Sequence, residues 1–222
     1  MRRGADVNEI DAFGTTALLT ALFKFSDKMS RRHQRDTDQI IDLLLRRGAD
    51  PDKGRVPPLW VAVRGGQVHL VNAMIVAGVS LDQVIDIPRV DEPGSTQRVN
   101  ALFMAIGIAA SEGSAMNERM AVSLVRAGID LSVVSDGGLA LHQASSNGMP
   151  ETLQAILKRE PAMVDSLDDA GATALMLAAT SNRPRSVAAL LAGGADRTIK
   201  DPSGMTAADH ATGHSDLLEQ LA

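Results

Sequence analysis

Thr173-Ala174-Leu175-Met176-Leu177-Ala178 is the clearest copy of a phrase that recurs along this chain of 222 residues. Other variants of the phrase begin at Thr16, Pro58, Ala101, Leu139 and Thr206. A second phrase, of the type Arg47-Gly48-Ala49-Asp50, alternates with the first and follows short apolar runs such as Leu43-Leu44-Leu45. Two phrases in alternation indicate a stack of similar structural units.

The spacing of the first phrase approaches a known repeat period. Its anchor positions are Leu18, Leu59, Leu102, Leu141, Leu175 and Ala208, with gaps of 41, 43, 39, 34 and 33 residues. The last two gaps are close to the 33-residue period of ankyrin repeats, whose signature is T-P-L-H-x-A. The chain therefore resembles the ankyrin repeat family over nearly its whole length.

The local pattern is typical of paired short helices. Leu59, Ala62 and Val63 lie on one face of a first helix, and Gly65-Gly66 ends it because glycine adopts the left-handed conformation of a helix stop. A single pair of helices cannot bury its own apolar face, so a core forms only when helix pairs stack. We expect an all-α solenoid, an ankyrin-like stack of about six helix-turn-helix repeats with short β-hairpin or loop tips.

The resemblance implies a single ankyrin-repeat domain over residues 1–222. A partial N-terminal repeat covers residues 1–10, and a C-terminal cap covers residues 201–222. The repeats between them span about 11–51, 52–84, 85–133, 134–167 and 168–200.

Three segments exceed the repeat length. Residues 26–35 lengthen the connection before an outer helix that we expect at about 37–46. Residues 85–98 contain two prolines, a glycine and five charged side chains, which predicts an extended loop. Residues 111–117 are an extra segment before the third outer helix. The turn at 159–162 stays unassigned, because its Arg-Glu-Pro-Ala replaces the expected Gly-Ala-Asp.

Composition restricts the classes of function. The net charge is −5, which argues against a nucleic-acid-binding stripe. The charge is uneven: residues 1–64 hold 12 basic and 9 acidic side chains, whereas residues 65–222 hold 10 and 18. No apolar run approaches the roughly 20 residues of a membrane span, and no signal peptide is visible. We expect a cytoplasmic protein, with secretion as an effector and a periplasmic location left open.

The sequence contains no recognisable catalytic motif. There is no cysteine, no phosphate-binding loop and no nucleophile elbow. His142 occupies the His place of the family signature, which implies a structural ring that ties a turn to the backbone. His210 and His214 have a zinc-like spacing, but Thr212-Gly213 interrupts the helix between them and no third ligand is indicated. We predict no catalytic residue, no cofactor and no metal.

The resemblance also implies where a partner binds, because hairpin tips and inner-helix ends line a groove in such stacks. Carried over by position, the predicted partner-binding residues are Phe13, Phe23, Lys24, Trp60, Arg64, Asp136 and Asn147, with Arg89 and Arg98 in the insertion. We expect the groove of repeats one to three and the 85–98 loop to form this face. Trp60 has a second reading, in which its ring fills the layer between repeats. The basic cluster of Lys28, Arg31, Arg32 and Arg35 either contacts an acidic or phosphorylated partner or is a solvated loop.

The sequence thus predicts a non-catalytic protein–protein interaction module that acts as an adaptor, an inhibitor or a toxin-neutralising protein of bacterial origin. It would bind another protein, and neither nucleic acid nor membrane, as a monomer. Two alternatives stay open: a regulatory or targeting segment of a larger protein, and a secreted bacterial effector. A metal- or small-molecule-binding enzyme is a remote third.

Overall fold

A computed structural model describes residues 4–24, 31–88, 94–112, 115–211 and 215–221. The chain forms two compact units, which we call unit 1 (residues 1–83) and unit 2 (residues 84–222). None of the helices in the described ranges is long and apolar enough to cross a lipid bilayer.

Unit 1 consists of two helix pairs. The first pair is α1 (Ala17–Lys24) with α2 (Arg31–Arg46), and the second is α3 (Pro58–Arg64) with α4 (Val68–Val76). The inner helix α1 packs on α3, and the outer helix α2 packs on α4. The core between them is aliphatic, and its fully buried side chains include Leu18, Leu22, Ile41, Leu59 and Met74.

Unit 2 begins with an antiparallel hairpin of β1 (Val84–Pro88) and β2 (Thr96–Asn100) and continues as helix pairs. A second, two-residue hairpin and a short 3₁₀ helix lie among these pairs. The elements that follow β2 are α5 (Ala101–Glu112), α6 (Ala115–Ala127), β3 (Val134–Ser135), β4 (Gly138–Leu139), α7 (Ala140–Asn147), α8 (Pro150–Arg159), the 3₁₀ helix Pro161–Met163, α9 (Ala174–Thr180), α10 (Pro184–Ala192), α11 (Ala207–His210) and α12 (Ser215–Leu221). Inner helices α5, α7, α9 and α11 pack in succession, as do outer helices α6, α8, α10 and α12.

The recurring phrase forms the start of each inner helix. The hydroxyl oxygen of Thr16 accepts the backbone N–H of Leu19 at 3.2 Å, and Thr173 accepts that of Met176 at 3.3 Å. An N-terminal hydroxyl satisfies a backbone donor that has no partner within the helix. The phrase predicted these helices correctly because it combines this cap with the buried leucine of the next turn.

Aspartates at three tips, Asp11, Asp168 and Asp201, fold the connecting turn in the same way. The carboxylate of Asp168 accepts the backbone N–H groups of Ala170 at 3.0 Å and Ala172 at 2.8 Å, and Asp201 does the same for Ser203 and Met205. These turns also contain a glycine with positive φ, such as Gly171 at 79°. The carboxylate of Asp168 therefore holds the turn that precedes α9.

Polar side chains also fasten one repeat to the next. The Asn8 amide donates to the Gly48 carbonyl at 2.9 Å and accepts the Asp50 N–H at 2.7 Å. At the corresponding place of unit 2, the Asp165 carboxylate accepts the Asp196 N–H at 2.9 Å. The second phrase of the repeat therefore supplies backbone groups that the preceding repeat binds.

Three of the predicted insertions were wrong in form. Helix α2 begins at Arg31 instead of residue 37, because its charged residues are good helix formers and can be solvated. Within 85–98, residues 85–88 and 96–98 are paired strands instead of an extended loop, with Val84 opposite Asn100 and Pro88 opposite Thr96. In the segment 111–117, residues 111–112 continue α5 and 115–117 begin α6.

His142 shows the structural role that was predicted for it, and this confirms the prediction. The ring is 3% exposed; its Nδ1 accepts the Leu139 N–H at 3.0 Å, and its Nε2 bonds the Ser166 carbonyl at 2.9 Å. Since Nδ1 accepts, Nε2 carries the proton and donates. The ring therefore joins the start of α7 to the chain that enters the next repeat.

We expect His142→Ala to lower the free energy of unfolding by about 1–3 kcal/mol, since it leaves a backbone donor and a backbone acceptor unpaired. Urea denaturation at pH 7 would measure the change. His69→Ala is the matched control: His69 bonds Asp38 at 2.7 Å, but its side chain is 55% exposed, and the loss should stay within about 0.5 kcal/mol. Equal losses in the two variants would contradict the structural role of His142.

Candidate functional site

Phe13 stands exposed on the first tip of unit 1. The Asp11 carboxylate accepts the backbone N–H groups of Phe13 at 2.9 Å and Thr15 at 2.8 Å, and Gly14 completes the turn with φ of 73°. The same turn carries Ala170 and Ser203 at the corresponding positions in unit 2. The turn thus fixes the backbone and leaves the side chain free to vary, and here it presents a phenyl ring that is 76% exposed.

A second exposed ring lies beside the first tip. Phe23, near the end of α1, is 47% exposed, and the Arg55 guanidinium lies 5.6 Å from its ring centroid. The backbone N–H of Arg55 donates to the Gly14 carbonyl at 2.8 Å, which joins the first two tips. A cation at this distance over an aromatic ring is a favourable pair. Phe13, Arg55 and Phe23 are therefore parts of one continuous surface.

Two further cations border this surface. Lys24 is the last residue of α1, Arg64 is the last residue of α3, and both are exposed. Because α1 packs on α3, the two basic ends belong to neighbouring inner helices. We call the set Phe13, Phe23, Lys24, Arg55 and Arg64 the tip surface of unit 1.

Trp60 does not share the tip surface. Its side chain is only 5% exposed, in α3, and its indole Nε1 has no hydrogen-bond partner among the described residues. Of its two readings, the burial favours the ring that fills the layer between repeats. Its ring therefore contributes to the packing that holds α3.

In unit 2, Asp136 lies at a tight turn between β3 and β4. Asp136 and Gly137 both have positive φ, 50° and 76°, which is the conformation that a two-residue hairpin favours. The Gln97 amide nitrogen of β2, in the orientation that satisfies both groups, donates to the Asp136 carboxylate. The Asp169 N–H donates to the Gly137 carbonyl at 2.8 Å and joins this tip to the next.

A small groove of about 190 Å³ opens beside this tip. Its lining includes the polar residues Ser135, Asp136, His142, Gln143, Ser146 and Asp168 beside two leucines. The Gln143 side-chain oxygen is buried without a partner among the described residues. The groove contains the carboxylates of Asp136 and Asp168, which suit a cationic side chain of a partner.

The other predicted residues lie apart from this groove or beyond the described residues. Asn147 ends α7 next to Ser146 and is half-buried, but it does not line the groove. Arg98 is exposed on β2 directly opposite Asp86 of β1, an arrangement that favours a cross-strand charge pair. Arg89 lies outside the described residues. Arg31 and Arg35 of the basic cluster belong to α2 instead of a loop.

A carboxyl pair links the outer helices of unit 2. The Glu118 carboxylate of α6 accepts the backbone N–H groups of Glu151 at 2.8 Å and Thr152 at 3.2 Å, at the start of α8. Glu151 in turn accepts the Arg185 guanidinium of α10 at 2.7 Å. These contacts follow the stacking direction across three consecutive outer helices.

The two carboxyl groups share a proton. Burial, followed by the hydrogen bond with the Glu151 side chain, raises the pKa of Glu118 from 4.5 to about 7. The same hydrogen bond is the main cause that lowers the pKa of Glu151. The opposite directions have one origin, since the proton that Glu118 holds is donated to Glu151. At neutral pH the pair is thus partly protonated.

A family model described as ankyrin repeats, in three copies, matches residues 106–201 and 141–222, which together make up more than half of the chain. The chain belongs to the ankyrin repeat family. The matched residues lie in unit 2, and unit 1 contains the same aspartate turn and capped inner helix. The chain matches none of the curated proteins with which it was compared. Ankyrin repeats are generally protein–protein interaction modules and typically non-catalytic.

The sequence analysis missed Arg55, Gln97 and Glu118. Arg55 could have been found by aligning the tips, because it follows the tip glycine Gly54. The sequence does not predict the contact of Gln97 with Asp136, because this contact depends on how the two hairpins pack. The pKa of Glu118 likewise depends on a helix 33 residues away.

We expect Trp60→Ala to lower the free energy of unfolding by about 3–5 kcal/mol, because it opens a large cavity in the core. Phe13→Ala should change it by less than about 0.5 kcal/mol, since the ring is exposed. Chemical denaturation of the two variants would test this. A tolerated Trp60→Ala would place the ring at the surface after all.

We expect stability to fall as pH rises from about 4.5 to 7, because the folded chain holds the Glu118 proton in this window and the unfolded chain does not. After allowance for partial exposure, the change is about 1 kcal/mol. In Glu118→Gln the amide donates to Glu151 permanently, so this slope should flatten. Urea denaturation from pH 4.5 to 8 measures it, with Glu160→Gln as an exposed control. An unchanged slope in Glu118→Gln would contradict the shared proton.

Proposed function

We propose that this ankyrin repeat protein is a non-catalytic module that binds another protein through the tip surface of unit 1. The observation that carries the proposal is Phe13, a ring 76% exposed on a turn that holds Ala or Ser at the corresponding places of unit 2. An exposed ring gains nothing for folding, whereas aromatic and arginine side chains dominate the energy of protein interfaces.

The surface combines apolar rings with positive charge. Phe13 and Phe23 supply apolar area, and Lys24, Arg55 and Arg64 supply cations around it. This arrangement favours a partner with an apolar anchor flanked by carboxylates. The groove beside Asp136 contains carboxylates where the tip surface contains cations, and it would bind a basic side chain of the same or another partner.

The finer points of the proposal rest on the sequence. The recurrence of both phrases supports a count of about six repeats in one solenoid domain. Among roles for such a module, we favour an adaptor, an inhibitor or a toxin-neutralising protein in the bacterial cytoplasm. In the described ranges, no group of three or more metal-ligating side chains comes together.

Site-specific photocrosslinking tests the binding surface directly. We expect Phe13→p-benzoylphenylalanine, expressed in the native cell and irradiated, to give one discrete crosslinked protein, because the benzophenone replaces a ring at the centre of the interface. The adduct would be identified by mass spectrometry. For the protein so captured, Phe13→Ala with Arg64→Ala should weaken binding by at least about tenfold.

Val76 provides the matched control. It is 88% exposed at the end of α4, outside the tip surface. The same benzophenone at position 76 should give no discrete adduct. An adduct from position 76 and none from position 13 would contradict the proposal.

A further inference from the structure

Helix α2 and the residue that follows it present a stripe of four exposed side chains, Asp36, Ile40, Leu43 and Arg47. Their spacing of four, three and four residues places them along one side of the helix. Ile40 is 52% exposed and Leu43 is 51% exposed. Two aliphatic side chains are thus in water between two opposite charges. We call this set the α2 stripe.

The α2 stripe occupies a position that other repeats cover. Counted from the glycine that ends each outer helix in unit 1, the place of Ile40 corresponds to Leu70 of α4, which is 3% exposed. Aligned on the outer-helix pattern, it corresponds in unit 2 to Thr152 of α8 and Ser186 of α10, both fully buried.

This position faces the preceding outer helix. The Thr152 N–H donates to Glu118 of α6, and Arg185, next to Ser186, bonds Glu151 of α8. In the first repeat the same side of the helix lacks a neighbouring helix among the described residues. Exposed aliphatic side chains on a side that other repeats cover mark a surface that can bind a neighbour.

The α2 stripe is complementary to itself. If two copies of α2 lie antiparallel about the midpoint between residues 40 and 43, Ile40 of one copy meets Leu43 of the other. The same register places Asp36 of one copy opposite Arg47 of the other, twice. Asp36 and Arg47 have no ion-pair partner among the described residues, whereas Asp42 and Arg46 on another side of α2 pair with each other at 2.9 Å.

We propose that a second copy of this chain covers the α2 stripe, in a twofold symmetric dimer with α2 against α2. A twofold interface brings the same patch of both subunits together, which requires a self-complementary surface of this kind. This inference does not depend on the proposed function, because the tip surface of unit 1 consists of other residues. It replaces the expectation of a monomer that came from the family resemblance.

The dimer should be weak. Helix α2 has 16 residues, a length of about 24 Å, and a contact along one helix is smaller than the roughly 800 Å² per partner of a standard interface. We therefore expect a dissociation constant in the range of about 10–100 μM. Sedimentation equilibrium of the full chain from about 5 to 500 μM covers this range.

Charge reversal gives the sharpest test. Asp36→Arg and Arg47→Asp, each alone, place like charges opposite one another twice and should weaken association by at least about tenfold. The double variant D36R/R47D should restore it. An equimolar mixture of the two single variants should form a mixed dimer, since their charges are then complementary.

Leu43→Glu should abolish association. Val76→Glu should leave it unchanged, because Val76 is an aliphatic residue that lies outside the stripe and is 88% exposed. Circular dichroism of each variant verifies that it folds. A wild-type chain that stays monomeric up to 500 μM would overturn the proposal. This holds even if another protein covers the stripe. A dimer that is insensitive to Leu43→Glu and to charge reversal would overturn it equally.

Discussion

Each helix pair in this protein buries its apolar face only against a neighbouring pair. The pairs are too short to fold back on themselves, so Leu18, Leu59, Leu141 and Leu175 lose their exposure through stacking. Fully buried alanines at positions 62, 105, 144 and 178 keep the inner helices close together. The capped helix starts, the aspartate turns and the links between repeats then specify the register in which the pairs stack.

In this arrangement, the residues that maintain the fold differ from those that can vary and bind a partner. The aspartate turn needs its carboxylate and its glycine, but it makes no demand on the residue between them. Phe13 can therefore vary without cost to the fold, and so can the exposed ends of the inner helices. The outer helices α6, α8 and α10 differ, because specific polar contacts link them: Glu118 accepts the Glu151 N–H, and Glu151 accepts the Arg185 guanidinium. The exposed α2 stripe lies on the side of α2 that has no preceding outer helix among the described residues.

The repeated phrases predicted most of the helices because capping and burial are local and recur with the period. The predictions were wrong for segments that do not follow the repeat period. Helix α2 begins at Arg31, and the charged residues at its start gave no sequence signal for a helix. Strands β1 and β2 form a hairpin whose pairing is non-local. Phe13 could be placed from sequence, since its exposure follows from the turn. Trp60 could not, because the same spacing fits a ring on the surface and a ring in the layer between repeats, and only packing distinguishes them. The contacts of Arg55, Gln97 and Glu118 depend on which tips and helices meet in space.

The central claim is that a helix pair is stable to the extent that neighbours cover it. Hydrogen–deuterium exchange of the full chain, at a protein concentration of about 1 μM, tests this most directly, because exchange reports local opening. The account predicts slowest exchange in α7, which lies between α5 and α9. Exchange should be at least about tenfold faster in α2 and α12, which each pack on one outer helix among the described elements. Equal protection of α2, α7 and α12 would contradict it, since coverage by neighbours would then have no bearing on local stability.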